Sequence, residues 1–387
     1  MGLTKLSLDV LHVVEAAAGG IRRHVLDLVS GLQRLGVAQG VAYSPLRADD
    51  GFRDGIADLQ ARGVIAFSIP MHREVSVSQD LRASLAVRRL GMTCRPTVLH
   101  LHSSKAGGLG RLAAMGLSGA RVVYTPNASA AVLSRKYAWI ERVLGRLRTD
   151  CLIAVSQSEY EELANLDYVA SRKLRRVDSG LSANEVQFAA QARPAVALPD
   201  GPTVMAAGRL SYQKHPEMLV DASAILLREF PKLRFVWIGD GELRTQVEER
   251  MQEHRVREQW IVTGWLKNPY PLIRRASVFA TPSRYESFGY VVLEAMILGV
   301  PVVATKVTGL RDLVLDGDTG YLVDPGDVHG LAERIGRLLR DPLLAQRFRE
   351  AGSQRAGDFG VERMVEQTLR LYRSVAGPAW GTQRTGS

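Results

Sequence analysis

The sequence has few cysteines and no long apolar run, and both shortages exclude whole classes of protein. Cys94 and Cys151 are the only cysteines among 387 residues, too few for a disulfide framework, and neither lies in a CxxC or near a histidine cluster that would indicate a zinc site. The apolar runs are a handful of residues long, whereas a membrane-spanning helix needs about 18 or more. We therefore expect neither a disulfide-rich secreted protein nor one that crosses a membrane.

The first residues also lack the features of a secretory signal. They read MGLTKLSLDVLHVV and run into a strand-like stretch without a long apolar region or a cleavage site. Together with the low cysteine content, this predicts a cytoplasmic protein.

Basic residues exceed acidic ones, and the excess is concentrated in the first half. The formal charge is +10, from 50 Lys and Arg against 40 Asp and Glu, and residues 1–190 hold 24 basic and 17 acidic residues. Such a balance favours anionic partners, which are phosphorylated small molecules, anionic lipids or nucleic acids.

Short β-branched runs alternate with helical patterns along the whole chain. They include VLHVV, TVLHLH and RVVYT in the first half and TVMAAG, RFVWIG and PVVAT in the second. One intervening helix is indicated by Ile21, Val25, Leu28 and Leu32 at spacings of 4, 3 and 4, with Gly36 at the position of a C-terminal cap. The rhythm predicts an α/β fold with two doubly wound, Rossmann-like domains.

A proline-rich stretch suggests where the domains meet. Residues 191–202 read QARPAVALPDGP and show no helical period, so we predict a linker there. The N-terminal domain is then 1–190 and the C-terminal domain 203–360. A helix is expected over 361–375, with packing back on the N-terminal domain as one option, followed by a loose tail at 376–387.

Gly19-Gly20, between the first strand and the helix from Ile21, is the first candidate for phosphate binding. Glycine lets the backbone approach a phosphate closely, and a helix start supplies free amides. A tight βα turn is an equally good interpretation. The missing GxGxxG motif argues against a nicotinamide-dependent oxidoreductase.

Arg209 and Lys214 follow the strand TVMAAG and its Gly208, and precede a helix. Cations just beyond the C-terminal end of a parallel strand lie where open α/β sheets bind ligands, and two of them suit a diphosphate. The alternative is a solvated loop.

The stretch ESFGYVVLEAM is the most informative of the chain. Glu286 precedes a helix and can meet ligand hydroxyls, while Glu294 lies about one turn inside that helix, in such apolar surroundings that its charge indicates a purpose. The backbone amides at the helix start are unpaired donors. We include Ser287, Phe288, Gly289, Tyr290 and Val291 in the predicted site.

Three weaker patterns remain. His100 and His102 alternate along one strand and face the same side, but no third ligand is spaced to complete a metal site, so we favour core or rim histidines. Asp316-Gly317-Asp318 has the form of a metal-binding DxD, but it is interpreted as a turn. The basic segment RKYAWIERVLGRLR at 135–148 fits either a helix on an anionic bilayer or a helix that covers a sheet.

Taken together, these motifs resemble the retaining glycosyltransferases of family 4, which have the GT-B fold of two Rossmann-like domains facing a central cleft. GVPVVAT, GYLVDPGD, FVWIGDGEL with Gly239, and HLHSSKAGGLGR at 100–111 add to the resemblance, the last being similar to the subgroup that builds bacterial surface polysaccharides.

The resemblance implies an enzyme that transfers a hexosyl unit, with retention, from a UDP- or GDP-sugar to a lipid-linked glycan. Arg209 and Lys214 would neutralise the diphosphate, with Gly19-Gly20 closing on it. Glu294 would bind the ribose and Glu286 the sugar hydroxyls. No metal or other cofactor is expected, because cations and helix amides already stabilise the leaving charge.

His102, Lys105 and Asn127 are the candidates on the acceptor side. Asn127 stands where many relatives have a histidine, and an amide cannot act as a general base. A mechanism in which the leaving phosphate takes the acceptor proton would tolerate it. Because acceptors of this subgroup are often lipid-linked, we lean towards peripheral binding of the basic N-terminal domain to the inner face of the membrane. A nucleotide-sugar epimerase and a nucleic-acid-binding protein are the alternatives.

Overall fold

The computed structural model describes residues 7–127, 135–198 and 200–381. It divides the chain into two compact units, unit 1 with Met1–Gly180 and Val361–Ser387, and unit 2 with Leu181–Gly360. Each unit contains a parallel sheet whose strands are connected through helices. The predicted α/β class with two Rossmann-like sheets is confirmed.

Unit 1 is built on a seven-stranded sheet of order β3-β2-β1-β4-β5-β6-β7. Its elements are β1 Val10–Val14, α1 Gly19–Arg34, β2 Gln39–Tyr43, α2 Asp50–Ala61, β3 Ile65–Ser68, α3 Val77–Cys94, β4 Val98–His102, α4 Ser104–Ala114, β5 Arg121–Thr125, α5 Arg135–Arg148, β6 Cys151–Ala154, α6 Gln157–Leu166, β7 Leu174–Arg176 and, after unit 2, α15 Val361–Ala376. Strands β1 and β4 are fully buried, and their residues are apolar except for three histidines, His12, His100 and His102.

The C-terminal helix α15 completes unit 1 by packing against α1. A Cβ on Gly31 of α1 would lie only 2.4 Å from a methyl carbon of Val365, so the absence of a side chain allows the close approach. Trp380 beyond the helix stacks on Tyr372, with ring centroids 6.2 Å apart. The tail predicted at 376–387 therefore begins with packed residues, and residues 382–387 lie outside the described part of the chain.

Unit 2 is built on a six-stranded sheet of order β10-β9-β8-β11-β12-β13. Its elements are α7 Ala183–Ala189, β8 Thr203–Ala207, α8 Pro216–Glu229, β9 Arg234–Ile238, α9 Arg244–Glu253, β10 Trp260–Val262, α10 Tyr270–Ile273, β11 Val278–Thr281, α11 Tyr290–Ile297, β12 Val302–Thr305, α12 Leu310–Leu313, β13 Tyr321–Val323, α13 Val328–Arg340 and α14 Pro342–Ala356.

The division after Gly180 differs from the linker predicted at 191–202. Helix α7 precedes that stretch but belongs to unit 2, because Gln187 donates to the Ile297 carbonyl at 3.5 Å and the Ala189 carbonyl accepts a hydrogen bond of 2.7 Å from Asn268. The proline-rich stretch connects α7 to β8 within unit 2. Its lack of helical period was a correct indication of loop, but not of a boundary.

The helices of the described ranges are too short or too polar to cross a bilayer.

Candidate functional site

The predicted donor-side residues of unit 2 lie at the C-terminal ends of two central strands. Gly208 and Arg209 directly follow β8, and Glu286 lies in the loop after β11. These strands are neighbours, and the order of the sheet reverses between them. Open α/β sheets bind ligands at such a switch point. Residues 209 and 286, far apart in sequence, thus follow adjacent strands.

Lys214 and Glu286 form an ion pair at this edge. Lys214 Nζ lies 2.5 Å from Glu286 Oε1, and Ser283 Oγ donates a hydrogen bond of 2.9 Å to the same oxygen. The side chains are only 17% and 8% exposed. The prediction assigned the lysine to a diphosphate and the glutamate to sugar hydroxyls, so the structure couples two roles that sequence reasoning had kept apart.

The two loops that carry this pair are fastened to each other. The Arg284 amide donates to the Gln213 carbonyl at 2.8 Å, and Gln213 Nε2 donates to the Tyr285 carbonyl at 3.1 Å. Arg284 also lies over the Tyr212 ring, 4.4 Å from its centroid. By contrast Arg209 is exposed, and within the described ranges no acidic side chain pairs with it. Its guanidinium is therefore available to an anion.

The start of α11 offers backbone amides. Gly289 caps this helix with φ of 97°, where a Cβ would lie 2.3 Å from a Leu310 methyl, so glycine is required. Phe288 is 2% exposed and packs edge-on against Tyr290 and Phe359. Its side chain is thus a core group, and only its backbone can serve the predicted site. Ser287 and Val291 are half-buried at the same helix start.

Glu294 lies on α11 one turn beyond Tyr290 and is partly buried, as its apolar surroundings predicted. Its Oε1 accepts a hydrogen bond of 3.1 Å from the hydroxyl of Tyr270 on α10. Tyr270 was missed by sequence reasoning, because only the packing of α10 near α11 brings its hydroxyl to the glutamate.

Two glycines allow the strands β8 and β9 to approach at their ends. Gly239 has φ of 137°, and a Cβ there would lie 2.2 Å from the Gly208 carbonyl oxygen, which accepts a hydrogen bond of 2.9 Å from Trp237 Nε1. The ring of Trp265, 64% exposed, is 3.5 Å from the same Cβ position. Trp265 thus adds an exposed aromatic face beside the two predicted glycines.

Gly19-Gly20 starts α1 in unit 1, as predicted. Gly19 has φ of 58°, with open space where a Cβ would project. The carboxylate of Asp49 accepts from the Gly19 amide at 3.4 Å and from Arg22 Nη1 at 2.8 Å. A side-chain anion therefore already occupies part of the position that we assigned to a phosphate.

The three acceptor-side candidates differ in their surroundings: His102 is the last residue of β4, Lys105 lies in the first turn of α4, and Asn127 follows β5. Lys105 pairs with Asp80 at 2.7 Å and donates to the Glu74 carbonyl, so it ties α4 to the start of α3. Asn127 has φ of 53°, and its side chain donates to the Thr125 carbonyl at 3.4 Å. His102 is fully buried.

His102 belongs to a cluster of four buried histidines, of which His12 and His24 were missed by sequence reasoning. Gln39 donates to the Val29 carbonyl, so its oxygen must accept from His12 Nε2. Burial lowers the pKa of His12 to about 4, and the neutral ring then accepts through Nδ1 from His102 Nε2 at 3.1 Å. His102 Nδ1 remains a bare acceptor without a partner among the described residues.

His12, His100 and His102 are close enough to share a metal ion, but their hydrogen bonds favour a neutral network. Both nitrogens of His100 are engaged, one with the Tyr372 hydroxyl and the other with Thr125 Oγ1 at 2.8 Å. Burial also lowers the pKa of His100 and His102 well below the usual value. The interpretation as core histidines therefore fits this geometry better than a metal site.

Asp316-Gly317-Asp318 forms a turn, as predicted. Gly317 has φ of 78°, and Asp316 Oδ1 accepts from the Leu322 amide at 2.9 Å. This aspartate is thus engaged in holding the turn that leads into β13.

Comparison with known proteins assigns both halves of the chain. The family model described as Glycosyltransferase Family 4 matches residues 18–185, and the one described as Glycosyl transferases group 1 matches residues 189–355. The chain is a glycosyltransferase. Between them, the two matches contain each residue that we assigned to the donor and acceptor sides.

Relatives and solved structures extend over most of the glycosyltransferase. An α-D-kanosaminyltransferase of Streptomyces kanamyceticus is 30% identical over 62% of this chain and 61% of its own length. The lipopolysaccharide core biosynthesis glycosyltransferase LpsE of Rhizobium meliloti is 27% identical over 95% of this chain and 99% of its own. A UDP-Gal:α-D-GlcNAc-diphosphoundecaprenol α-1,3-galactosyltransferase of Escherichia coli is 24% identical over 90% and 95%. The structure of Anabaena HepE with UDP and glucose superposes with a TM-score of 0.81 at 19% identity, covering 95% of this chain and 100% of that one.

Proposed function

We propose that this glycosyltransferase transfers a hexosyl unit, with retention, from a UDP- or GDP-sugar to a lipid-linked glycan. The observation that carries the donor part is the pair of cations at the switch point of unit 2, beside the start of α11. Arg209 is exposed without an acidic partner in the described ranges, and Lys214, on the same loop between β8 and α8, is held by Glu286 of the adjoining loop. Such groups suit a diphosphate.

The chemistry follows from where charge develops. The bond between the anomeric carbon and the diphosphate oxygen breaks, and its electron pair stays on the diphosphate, while the acceptor oxygen bonds to the same carbon. The acceptor proton passes to the departing phosphate oxygen, so no protein base is needed. Arg209, Lys214 and the amides at the start of α11 stabilise the leaving charge. We propose that they do so without a metal.

Lys214 and Glu286 would then bind different parts of the donor, the lysine a phosphate and the glutamate the sugar. The lysine needs only a small shift from Glu286 to meet a phosphate oxygen, since a four-carbon stem is flexible. Glu286 would then accept hydrogen bonds from sugar hydroxyls, and Glu294 from the ribose. Trp265 offers a flat apolar face for the base.

The names of the relatives support the substrate classes. The Escherichia coli relative is named for UDP-Gal and a diphosphoundecaprenol-linked sugar, and LpsE for the lipopolysaccharide core. The Streptomyces kanamyceticus relative is named for a different transferred sugar, kanosamine, so the sugar that this enzyme transfers is to be identified by assay.

The nucleotide can be identified by thermal unfolding with UDP, GDP, UDP-glucose, UDP-galactose and GDP-mannose, each with and without EDTA. A nucleotide at 100 times its Kd stabilises the folded protein by about 2.7 kcal/mol. We expect a shift with one nucleotide family that EDTA leaves unchanged, and a smaller shift in Trp265→Ala. The matched control is Phe188→Ala, an exposed aromatic on α7 of the same unit. A shift that requires added Mg²⁺ or Mn²⁺ would contradict the metal-free proposal.

We further propose that the outer faces of α3, α4 and α5 dock on an anionic membrane. Exposed apolar side chains line these faces, and we call them the docking surface: Leu81, Leu85, Met92, Leu112, Met115, Trp139 and Leu147. Arg88 lies against Gly116 at the end of α4, which places the α3 row beside α4. Exposed arginines of α3 and α5 accompany the apolar groups, namely Arg82, Arg88, Arg89, Arg142 and Arg146.

Helix α5 also covers the sheet, so its two interpretations are compatible. Its Glu141 is buried against Arg111 at 2.7 Å, while Trp139 and Leu147 face solvent. Arg148, which the sequence had suggested for lipid contact, instead donates to the Ala114 and Leu117 carbonyls at 2.9 Å. We therefore exclude it from the docking surface.

Sedimentation with phosphatidylglycerol vesicles tests this surface. Each basic side chain near an anionic bilayer contributes about 1 kcal/mol, so Arg89→Glu/Arg142→Glu/Arg146→Glu should release the protein, as should Leu85→Ser/Met92→Ser/Leu112→Ser. The control Leu343→Ser/Arg255→Glu/Arg274→Glu alters exposed groups of unit 2. Equal vesicle binding by the wild type and both triple variants would exclude this surface as the docking site.

A further inference from the structure

Unit 1 also has a set of polar groups at the point where the order of its strands reverses, between β1 and β4. Glu15 directly follows β1 and Ser103 directly follows β4. The two strands are neighbours, with Val14 paired to His102, and the order changes between them, since β2 and β3 lie on one side and β5 to β7 on the other. These two residues therefore lie side by side at the edge where such sheets bind ligands.

Glu15 contacts an arginine without a hydrogen bond between them. Arg47 Nε, in the loop after β2, lies 3.1 Å from Glu15 Oε1. Nevertheless both atoms are buried and lack a hydrogen-bond partner among the described residues, because their orientation does not suit one. A buried donor and a buried acceptor left unpaired are uncommon in folded proteins.

One chemical group would satisfy both atoms. A hydroxyl can donate its hydrogen to Glu15 Oε1 while its oxygen accepts from Arg47 Nε. A fully ionised phosphate could only accept and would meet the carboxylate as a like charge. The orphan pair is therefore complementary to a sugar hydroxyl rather than to an anion.

The other carboxylate oxygen is held by a strained residue. Ser103 Oγ donates to Glu15 Oε2 at 3.4 Å. Ser103 has φ of 79° and ψ of 157°, a region that is essentially restricted to glycine. The strained backbone directs this hydroxyl to Glu15, and the Ser103 amide donates to the Thr125 carbonyl at 3.2 Å.

Arg47 is the more exposed member of this pair. The glutamate side chain is 6% exposed, whereas that of Arg47 is 29% exposed. Burial raises the pKa of Glu15, with Arg47 opposing that effect. A small rotation of the arginine would open the carboxylate to a ligand while keeping the two charges close.

We propose that Glu15 and Arg47 bind one hydroxyl group of the acceptor glycan, with Ser103 positioning the carboxylate. This rests on the proposed function, in which the acceptor is a glycan. The three residues would then determine which acceptor the enzyme selects, and they would not be needed for donor binding.

The test separates acceptor use from donor use. Transfer from the nucleotide sugar identified above is measured with undecaprenyl-diphosphate-linked N-acetylglucosamine, glucose and galactose, and hydrolysis of the same donor by water is measured in parallel. For the acceptor that the wild type uses, we expect Glu15→Gln to raise KM about 10- to 100-fold, the scale of one hydrogen bond to a charged group. Donor hydrolysis and the nucleotide-induced thermal shift should stay at the wild-type level.

Controls distinguish binding from folding. Glu159→Gln alters another buried carboxylate of unit 1, one that accepts from the Val155 amide, and should leave the acceptor KM unchanged. Ser103→Gly removes the hydroxyl, relieves the strain and should raise KM without lowering thermal stability. An acceptor KM in Glu15→Gln equal to that of the wild type would overturn this inference alone. A wild type that neither transfers nor hydrolyses any nucleotide sugar would overturn the proposed function as well.

Discussion

Lys214 Nζ and Glu286 Oε1 lie 2.5 Å apart although 72 positions separate the residues in the chain. Both side chains are mostly buried, so each neutralises a charge that the other would leave unpaired. Breaking a buried pair by removing one partner costs much more than an exposed pair contributes. Lys214 therefore contributes to stability as well as to the site, whereas Arg209 is exposed and contributes to the site alone. Mutation of each cation should distinguish these two contributions.

Arg209→Ala should lower transfer by about 100-fold or more, the scale of losing one transition-state donor, with little change in stability, because the guanidinium is exposed. Lys214→Met should lower transfer as far, and it should also lower the free energy of unfolding by about 3 kcal/mol. Urea unfolding together with initial rates checks both. The double variant Lys214→Met/Glu286→Gln should recover much of the stability but none of the activity. Equal stability of Lys214→Met and Arg209→Ala would show that the ion pair contributes little.

Glu294→Gln should mainly weaken binding of free nucleotide, because a ribose contact exists in the ground and transition states alike, whereas Glu286→Gln should mainly lower turnover. Tyr270→Phe, which removes the hydrogen bond to Glu294, should weaken nucleotide binding less than Glu294→Gln does. Calorimetry with the free nucleotide decides this. Similar losses of affinity in the two glutamine variants would refute the assignment.

Gly239→Ala should abolish donor binding and destabilise unit 2. Its Cβ would lie 2.2 Å from the Gly208 carbonyl oxygen, and its φ of 137° strains any side chain. Gly317→Ala is the matched control, because its φ is also positive but its Cβ would meet open space. It should cost only about 1 kcal/mol and leave nucleotide affinity unchanged. Thermal unfolding with and without nucleotide compares the two, and wild-type affinity in Gly239→Ala would argue against close approach at this site.

Stability should fall as pH falls below about 6.5, before most carboxylates titrate. Burial lowers the pKa of both His12 and His24 to about 4, so between these pH values the unfolded chain binds protons that the folded chain does not. The stabilising effect is complete above pH 6.5 and is lost progressively down to about pH 4, on the order of 3 kcal/mol for each histidine. Urea midpoints at pH 7.5, 6.5 and 5.5 measure the loss. In His12→Gln the urea midpoint should depend less on pH. The same pH dependence as in the wild type would show that His12 does not contribute to it.

The donor-binding residues of unit 2 could be predicted because they follow strongly apolar strands in the sequence. Gly208, Arg209 and Glu286 could be assigned to one sheet edge from the rule that ligands bind beyond the ends of parallel strands. Their partners were not predictable in the same way. Tyr270 comes from a four-residue helix, α10, too short for any periodic signal.

In unit 1, the functional residues that sequence reasoning missed could be found only with the strand order known. His12 lies within VLHVV and Glu15 directly after it, where they look like interruptions of a buried strand. Their meaning depends on β1 being the neighbour of β4, which pairs His12 with His100, and pattern alone does not reveal which strands are adjacent. The short edge strand β7, Leu174–Arg176, lacks the β-branched run of the others and was missed for that reason.

Because α15 packs in unit 1, it determines the order in which the two units can be completed during synthesis. Unit 2 is continuous, from Leu181 to Gly360, whereas unit 1 lacks a helix until residues 361–376 have been synthesised. Until then Gly31 has no Val365 to pack against, and the buried His100 has no hydroxyl from Tyr372. During translation the unit that begins first is thus finished last, and a nonsense codon at position 361, before α15 is encoded, would leave unit 2 whole and unit 1 open along α1.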